Sequence, residues 1–146
     1  MRILVLCTGN VARSQMAAAF LRQLLGDGAE VYSAGSRPEG ELWPPVVEAM
    51  AEVGIDLSSE RPKSVSEFED VQFDWVITVC DSARETCPVG PPALRRVHRA
   101  FPDPRALAAG ADDPAPVVRE VRELIREWAE SFVASMRYGE RSPLDG

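Results

Sequence analysis

Apolar residues follow two rhythms along this chain. Ile3-Leu4-Val5-Leu6 and Asp74-Trp75-Val76-Ile77-Thr78-Val79 lack the alternation of a half-exposed strand, and predict strands buried on both faces of a sheet. Glu30-Val31-Tyr32-Ser33-Ala34 predicts a shorter strand, and Leu94 to Phe101 a fourth, which Arg95, Arg96 and Arg99 make edge-like. The second rhythm is helical. From Gln15 to Leu25, the residues Met16, Phe20, Leu21, Leu24 and Leu25 form an inward stripe, stopped by Gly26-Asp27-Gly28. A second helix starts near Pro44 or Pro45, turns Val46, Val47, Met50 and Val53 inward, and ends at Gly54. A short helical turn is expected around Val65 to Phe68. After Asp113-Pro114 a long helix is expected to place Val117, Val121, Leu124, Ile125, Trp128 and Phe132 on the sheet. Polar, turn-forming residues from Tyr138 onward predict a flexible tail, 137–146, behind one domain, 1–136.

Strand, helix and strand in succession imply right-handed crossovers. The expected fold is therefore α/β, with parallel strands covered on both faces and ligand loops outside the carboxyl ends of the strands. The first such loop is Cys7-Thr8-Gly9-Asn10-Val11-Ala12-Arg13-Ser14. It joins a buried strand to a helix N-terminus, where orphan N–H groups converge on a small volume and favour an anion. That positive potential suits a thiolate nucleophile at Cys7, Arg13 adds a planar fork for two oxygens of an oxyanion, and Ser14 can donate to the thiolate.

Composition narrows the possibilities. The chain has 146 residues and a formal net charge of -7, so a general nucleic-acid surface is not expected. No apolar run is long enough to cross a bilayer, and Met1-Arg2-Ile3-Leu4-Val5 passes directly into the first strand, which predicts a cytoplasmic protein without a signal peptide. Three cysteines, an odd number, argue for reactive thiols over a disulfide framework. Cys80 ends the third strand on the same side as Cys7, and Cys87 follows before Pro88. The two read either as a core and a surface cysteine or as a thiol pair at the mouth of the loop. Their spacing is not that of a zinc knuckle, and the single histidine, His98, reads as a partly buried strand residue, so no metal is expected. Asp103, held between Pro102 and Pro104, is either a cap or turn aspartate or, if its loop overhangs the anion site, a general acid.

Taken together, Leu6-Cys7-Thr8-Gly9-Asn10, Arg13-Ser14-Gln15-Met16-Ala17, Val31-Tyr32-Ser33-Ala34-Gly35, Val53-Gly54-Ile55-Asp56-Leu57-Ser58, Val79-Cys80, Cys87-Pro88 and Asp103-Pro104 resemble the thioredoxin-coupled arsenate reductases, which share the low-molecular-weight protein tyrosine phosphatase fold. The resemblance runs from about Met1 to Met136 and implies an α/β fold, a four-stranded parallel sheet with helices on both faces. It implies that arsenate, with phosphate or sulfate as analogues, binds in the loop from Cys7 to Ser14, and that Cys7 attacks arsenic while Asp103 protonates the departing oxygen. It further implies a Cys7 to Cys80 and then a Cys80 to Cys87 disulfide, reduced by thioredoxin, with no tightly bound cofactor in a monomer. Some relatives complete a potassium site with residues matching Asn10, Ser33, Ala18 and Lys63. Here the alanine and lysine suggest that the Lys63 ammonium replaces the cation beside Asn10, with Ser33 and Lys63 supporting the loop. Arg105-Ala106-Leu107 after Asp103-Pro104 lacks the aromatic wall of the phosphatases. Phosphotyrosine hydrolysis is thus the alternative activity, and a non-catalytic redox or oxyanion sensor the alternative class.

Overall fold

The computed structural model describes residues 1–81 and 89–141, with side chains through residue 137. Four strands, β1 (Arg2–Cys7), β2 (Glu30–Gly35), β3 (Phe73–Thr78) and β4 (Ala93–His98), form a wholly parallel sheet in the order β2-β1-β3-β4. The helices are α1 (Arg13–Leu25), α2 (Pro44–Ala51), α3 (Pro104–Leu107) and α4 (Ala115–Arg141). The chain leaves β1 toward β2 on one side and later returns to β3 on the other. The crevice at this switch point, between the carboxyl ends of β1 and β3, is where open α/β sheets bind ligands.

β1 is central and its apolar run is uninterrupted because both of its faces are covered. Ile3, Val5 and Cys7 join the larger core cluster with α1, α2 and α4, while Leu4 and Leu6 join the smaller one with Phe68, Phe73 and Val76. The second face is closed by a 3-10 turn at Val65–Phe68. Ser64 and Glu67 cap that turn reciprocally, and Tyr32, Phe68 and Phe73 meet there at centroid distances of 5.4 to 6.1 Å.

Several details depart from the sequence pattern. α1 is buried on every side from Arg13 to Leu21, because Ala17, Ala18 and Ala19 let neighbouring elements approach closely. On α4 the buried positions are Val118, Val121, Ile125, Ala129 and Val133, whereas Leu124 is exposed and Trp128 and Phe132 flank the core. The helix also continues to Arg141, past the expected boundary at 136. β4 is the predicted edge but ends at His98, which is exposed and bonded through Nδ1 to Thr78 Oγ1 at 2.7 Å. Arg95 covers Trp75, and Arg99 covers Phe101.

Candidate active site

The loop after β1 is held from outside by its carbonyls. Leu6, Cys7, Thr8, Gly9 and Val11 accept from the N–H groups of Val79, Ser36, Arg37, Glu39 and Trp43 at 2.9, 3.4, 2.9, 3.2 and 3.2 Å. Asn10 accepts from Gln15 Nε2 at 3.1 Å and Ala12 from Met16 N–H at 3.0 Å, so the run from Leu6 to Ala12 is complete. In a trans peptide the N–H opposes the C=O, so carbonyls committed outward turn the N–H groups inward. Asn10 N–H shows the result, donating to Cys7 Sγ at 3.3 Å. Asn10 adopts a positive φ of 57°, the left-handed conformation that folds the loop back on itself. α1 then begins with no side-chain cap and no acidic residue in its first turn, leaving its N-terminal donors to an anion.

Cys7 is buried and free, with Ser14 Oγ at 2.8 Å from its sulfur. Asn10 Nδ2 donates to the same Ser14 oxygen at 2.7 Å, leaving the Ser14 hydroxyl proton for the Cys7 sulfur. Arg13 is buried, its Nη1 donating to Phe101 O at 3.2 Å and its Nη2 lying 3.9 Å from Asp103 Oδ2. Asp103 takes the cap position that its sequence context allowed and also lies beside Arg13. Oδ1 caps α3 by accepting Arg105 N–H at 3.0 Å, while Oδ2 faces Arg13. A cleft of about 400 Å³ opens here, bordered by Thr8, Arg13, Asp81, Asp103 and Arg105, with Pro102, Ala106 and Leu107 along one wall.

β1 and β3 are neighbours in register from Ile3 opposite Trp75 to Leu6 opposite Thr78, so Cys7 and Cys80 emerge from adjacent strand ends. Both belong to the same buried cluster, and Cys80 is disulfide-bonded. Cys87 lies outside the described residues.

The loop supports differ from those expected. Ser33 stands opposite Val5 in the sheet, is fully buried, and its Oγ makes no hydrogen bond among the described residues. Lys63 reaches Asn10 through its main chain, its N–H donating to Asn10 Oδ1 at 2.8 Å, whereas its ammonium donates to Arg61 O at 3.1 Å and lies 4.0 Å from Glu60. Burial pushes the Lys63 ammonium below the usual lysine range. Gln15, unremarked in the sequence beyond its place in the motif, does the work expected of that ammonium. Its Nε2 donates to Asn10 Oδ1 and Asn10 O at 3.1 Å and to Arg61 O at 3.2 Å. With Asn10 Oδ1 already accepting twice, and Ala18 and Lys63 supplying no carboxylate, these residues do not fit a potassium ion. Among the described residues no cluster of three histidine, cysteine or acidic side chains could hold a metal. Gly35 is a further missed support, because a Cβ there would run into Thr8 O. A polar residue amid the apolar stripe of α1 and a glycine closing β2 were the available signals.

A β2-β1-β3-β4 sheet carrying a Cys-x5-Arg loop at its switch point defines the low molecular weight phosphotyrosine protein phosphatase class, whose family model matches residues 2–140. Arsenate reductase 2 of Staphylococcus epidermidis is 38% identical over 130 residues, covering 89% of this chain and 94% of that relative. A solved arsenate reductase in its phosphate-binding state superposes with a TM-score of 0.74 at 27% identity, over 92% of this chain and 97% of the other. A thioredoxin-dependent arsenate reductase of Corynebacterium glutamicum matches with a TM-score of 0.61 at 30% identity, over 92% of this chain and 62% of that longer one. The chain belongs to the arsenate reductase family built on the low-molecular-weight phosphatase fold.

Proposed function

We infer that this protein reduces arsenate to arsenite through three thiols, drawing electrons from reduced thioredoxin. The observation that carries this reading is the emergence of Cys80 from the strand end beside the Cys7 anion loop. The loop N–H groups and Arg13 hold the arsenate oxygens, and Ser14 stabilises the Cys7 thiolate. Cys7 sulfur attacks arsenic while Asp103 gives a proton to the departing oxygen, which leaves as water. Cys80 thiolate then attacks Cys7 sulfur. The sulfur–sulfur bond forms as the sulfur–arsenic pair returns to arsenic, releasing arsenite. Cys87 attacks Cys80 in turn, freeing Cys7 as thiolate and leaving a Cys80–Cys87 disulfide for the thioredoxin dithiol to reduce by exchange.

The two electrons come from a dithiol, so the chemistry calls for no bound cofactor. The protein works as a cytoplasmic monomer in a thioredoxin-reduced pool; among the described residues no helix is long and apolar enough to cross a membrane. Replacing Cys80→Ser tests the relay. Multiple-turnover arsenite production with the thioredoxin system should fall by about 100-fold or more, while p-nitrophenyl phosphate hydrolysis, which uses only Cys7, Arg13 and Asp103, stays within about threefold. Disulfides mapped after one turnover should pass from Cys7–Cys80 to Cys80–Cys87. Undiminished arsenate turnover in the variant would refute the relay, and substituting low-molecular-weight thiols for thioredoxin without loss would refute the donor.

A further inference from the structure

Glu39 and Arg105 form an ion pair that the relay does not use. Arg105 Nη1 meets Glu39 Oε2 at 2.7 Å, joining the segment that holds the anion loop to the start of α3. Both ends are anchored by main chain, Glu39 N–H donating to Gly9 O at 3.2 Å and Arg105 N–H to Asp103 Oδ1 at 3.0 Å. The pair sits directly on the loop. A Cβ at Gly9 would stand 2.5 Å from Glu39 Oε2 and 3.6 Å from Arg105 Nη2, so the missing side chain of Gly9 is the space these groups occupy. Arg105 also borders the cleft with Arg13 and Asp103, its Nε buried 3.8 Å from Asp103 Oδ1.

In-line attack by Cys7 places the departing atom opposite its sulfur, on the side where Asp103 delivers a proton. A hydroxyl ends there. The organic group of a phosphate ester continues past Asp103 into the cleft that Arg105 borders, where Glu39 holds the Arg105 guanidinium in place. We propose that the Glu39–Arg105 ion pair is a specificity-determining latch, admitting free tetrahedral oxyanions to the loop and turning away bulky phosphate monoesters. It rests on the reading of the Cys7 loop as an oxyanion site. Because both side chains are partly exposed, the pair can be displaced at modest cost, and the discrimination it adds is on the order of tenfold.

The test measures alkylation of Cys7 by iodoacetamide, read on its own peptide by mass spectrometry, under protection by inorganic phosphate or by phenylphosphonate, a monoester analogue whose carbon–phosphorus bond Cys7 does not cleave. The selectivity is the ratio of the two half-protecting concentrations. Glu39→Ala with Arg105→Ala removes both charges together, keeping net charge constant, and should lower the preference for inorganic phosphate by about tenfold. Glu39→Gln, which preserves size and folding while breaking the ion pair, should lower it by at least about threefold. A ratio within about twofold of the parent in both variants, with phosphate still protecting, overturns the latch. If neither anion protects Cys7 in the parent protein, the oxyanion-site reading itself fails and the latch with it.

Discussion

Gln15 is a fully buried polar side chain whose single amide group serves three acceptors around Asn10 and Arg61. Replacing it with leucine keeps the volume and withdraws the donors, leaving the Asn10 carbonyl without one of its partners. Unmet buried acceptors cost about 1–3 kcal/mol, so Gln15→Leu should lower the melting temperature measurably. Displacing Asn10 also displaces the N–H that faces Cys7, and arsenate turnover should drop on the order of 100-fold. A variant with parental melting and kinetics would show that the amide is dispensable. The placement of Cys7, Arg13 and Asp103 at one loop was legible in the sequence because its cues are local, a loop between strand and helix or an aspartate between prolines. Gln15 was not, since its partners lie in a loop main chain and in a segment 46 residues away. Lys63 was misread for the complementary reason: residue identity advertises a side chain, whereas the contact that matters is its peptide N–H.

At the scale of elements, α2 and α4 are clamped by one carboxylate. Glu52, just past the end of α2, takes bidentate hydrogen bonds from Arg119 and a further one from Arg122 of α4. The Arg119 bonds first, and then the Arg122 bond, hold its carboxyl down to about 2 from an ordinary 4.5. A depressed carboxylate contributes stability that is present above the unfolded value and is lost as pH falls through the folded one. Acid unfolding of the parent should therefore steepen between pH 4.5 and about 2, and Glu52→Gln should flatten that limb while changing stability little below pH 2. Identical acid limbs in circular dichroism would dismiss the clamp. The strands were legible because an apolar run of this length, bounded by loops, has few alternatives. The phase of α4 was harder to read: Ala129 carries little hydrophobic signal yet is buried, and Leu124 carries much yet lies outside.

For the whole molecule, the anion loop is assembled from distant parts, β1, α1, the segment between β2 and α2, and the chain around Lys63, so ligand binding reports on their joint integrity. Inorganic phosphate, the proposed analogue in the loop, should bind only the folded arrangement. At a hundredfold excess over its Kd it should stabilise the protein by about 2.7 kcal/mol, visible as a rise in melting temperature. Arg13→Ala should abolish that rise; a shift of equal size in the variant would place the anion elsewhere. The parallel pairing of β1 and β2 followed from the alternation of strand, helix and strand together with the right-handedness of crossovers, while the four-stranded whole came with the family resemblance. What the pattern could not supply was the register that sets Cys7 beside the end of β3, since pairing across 72 residues leaves no periodic trace.

The stretch from Ser36 to Trp43 has no regular secondary structure beyond bends and turns, yet its amides carry four of the seven carbonyls that orient the anion loop. Its role is written in backbone and not in side chains. Mutational tolerance there should therefore follow an unusual rule, permissive to exchanges of Arg37 for other residues that keep an N–H and closed to proline at the same position, as though a strand of the site had been hidden in a loop.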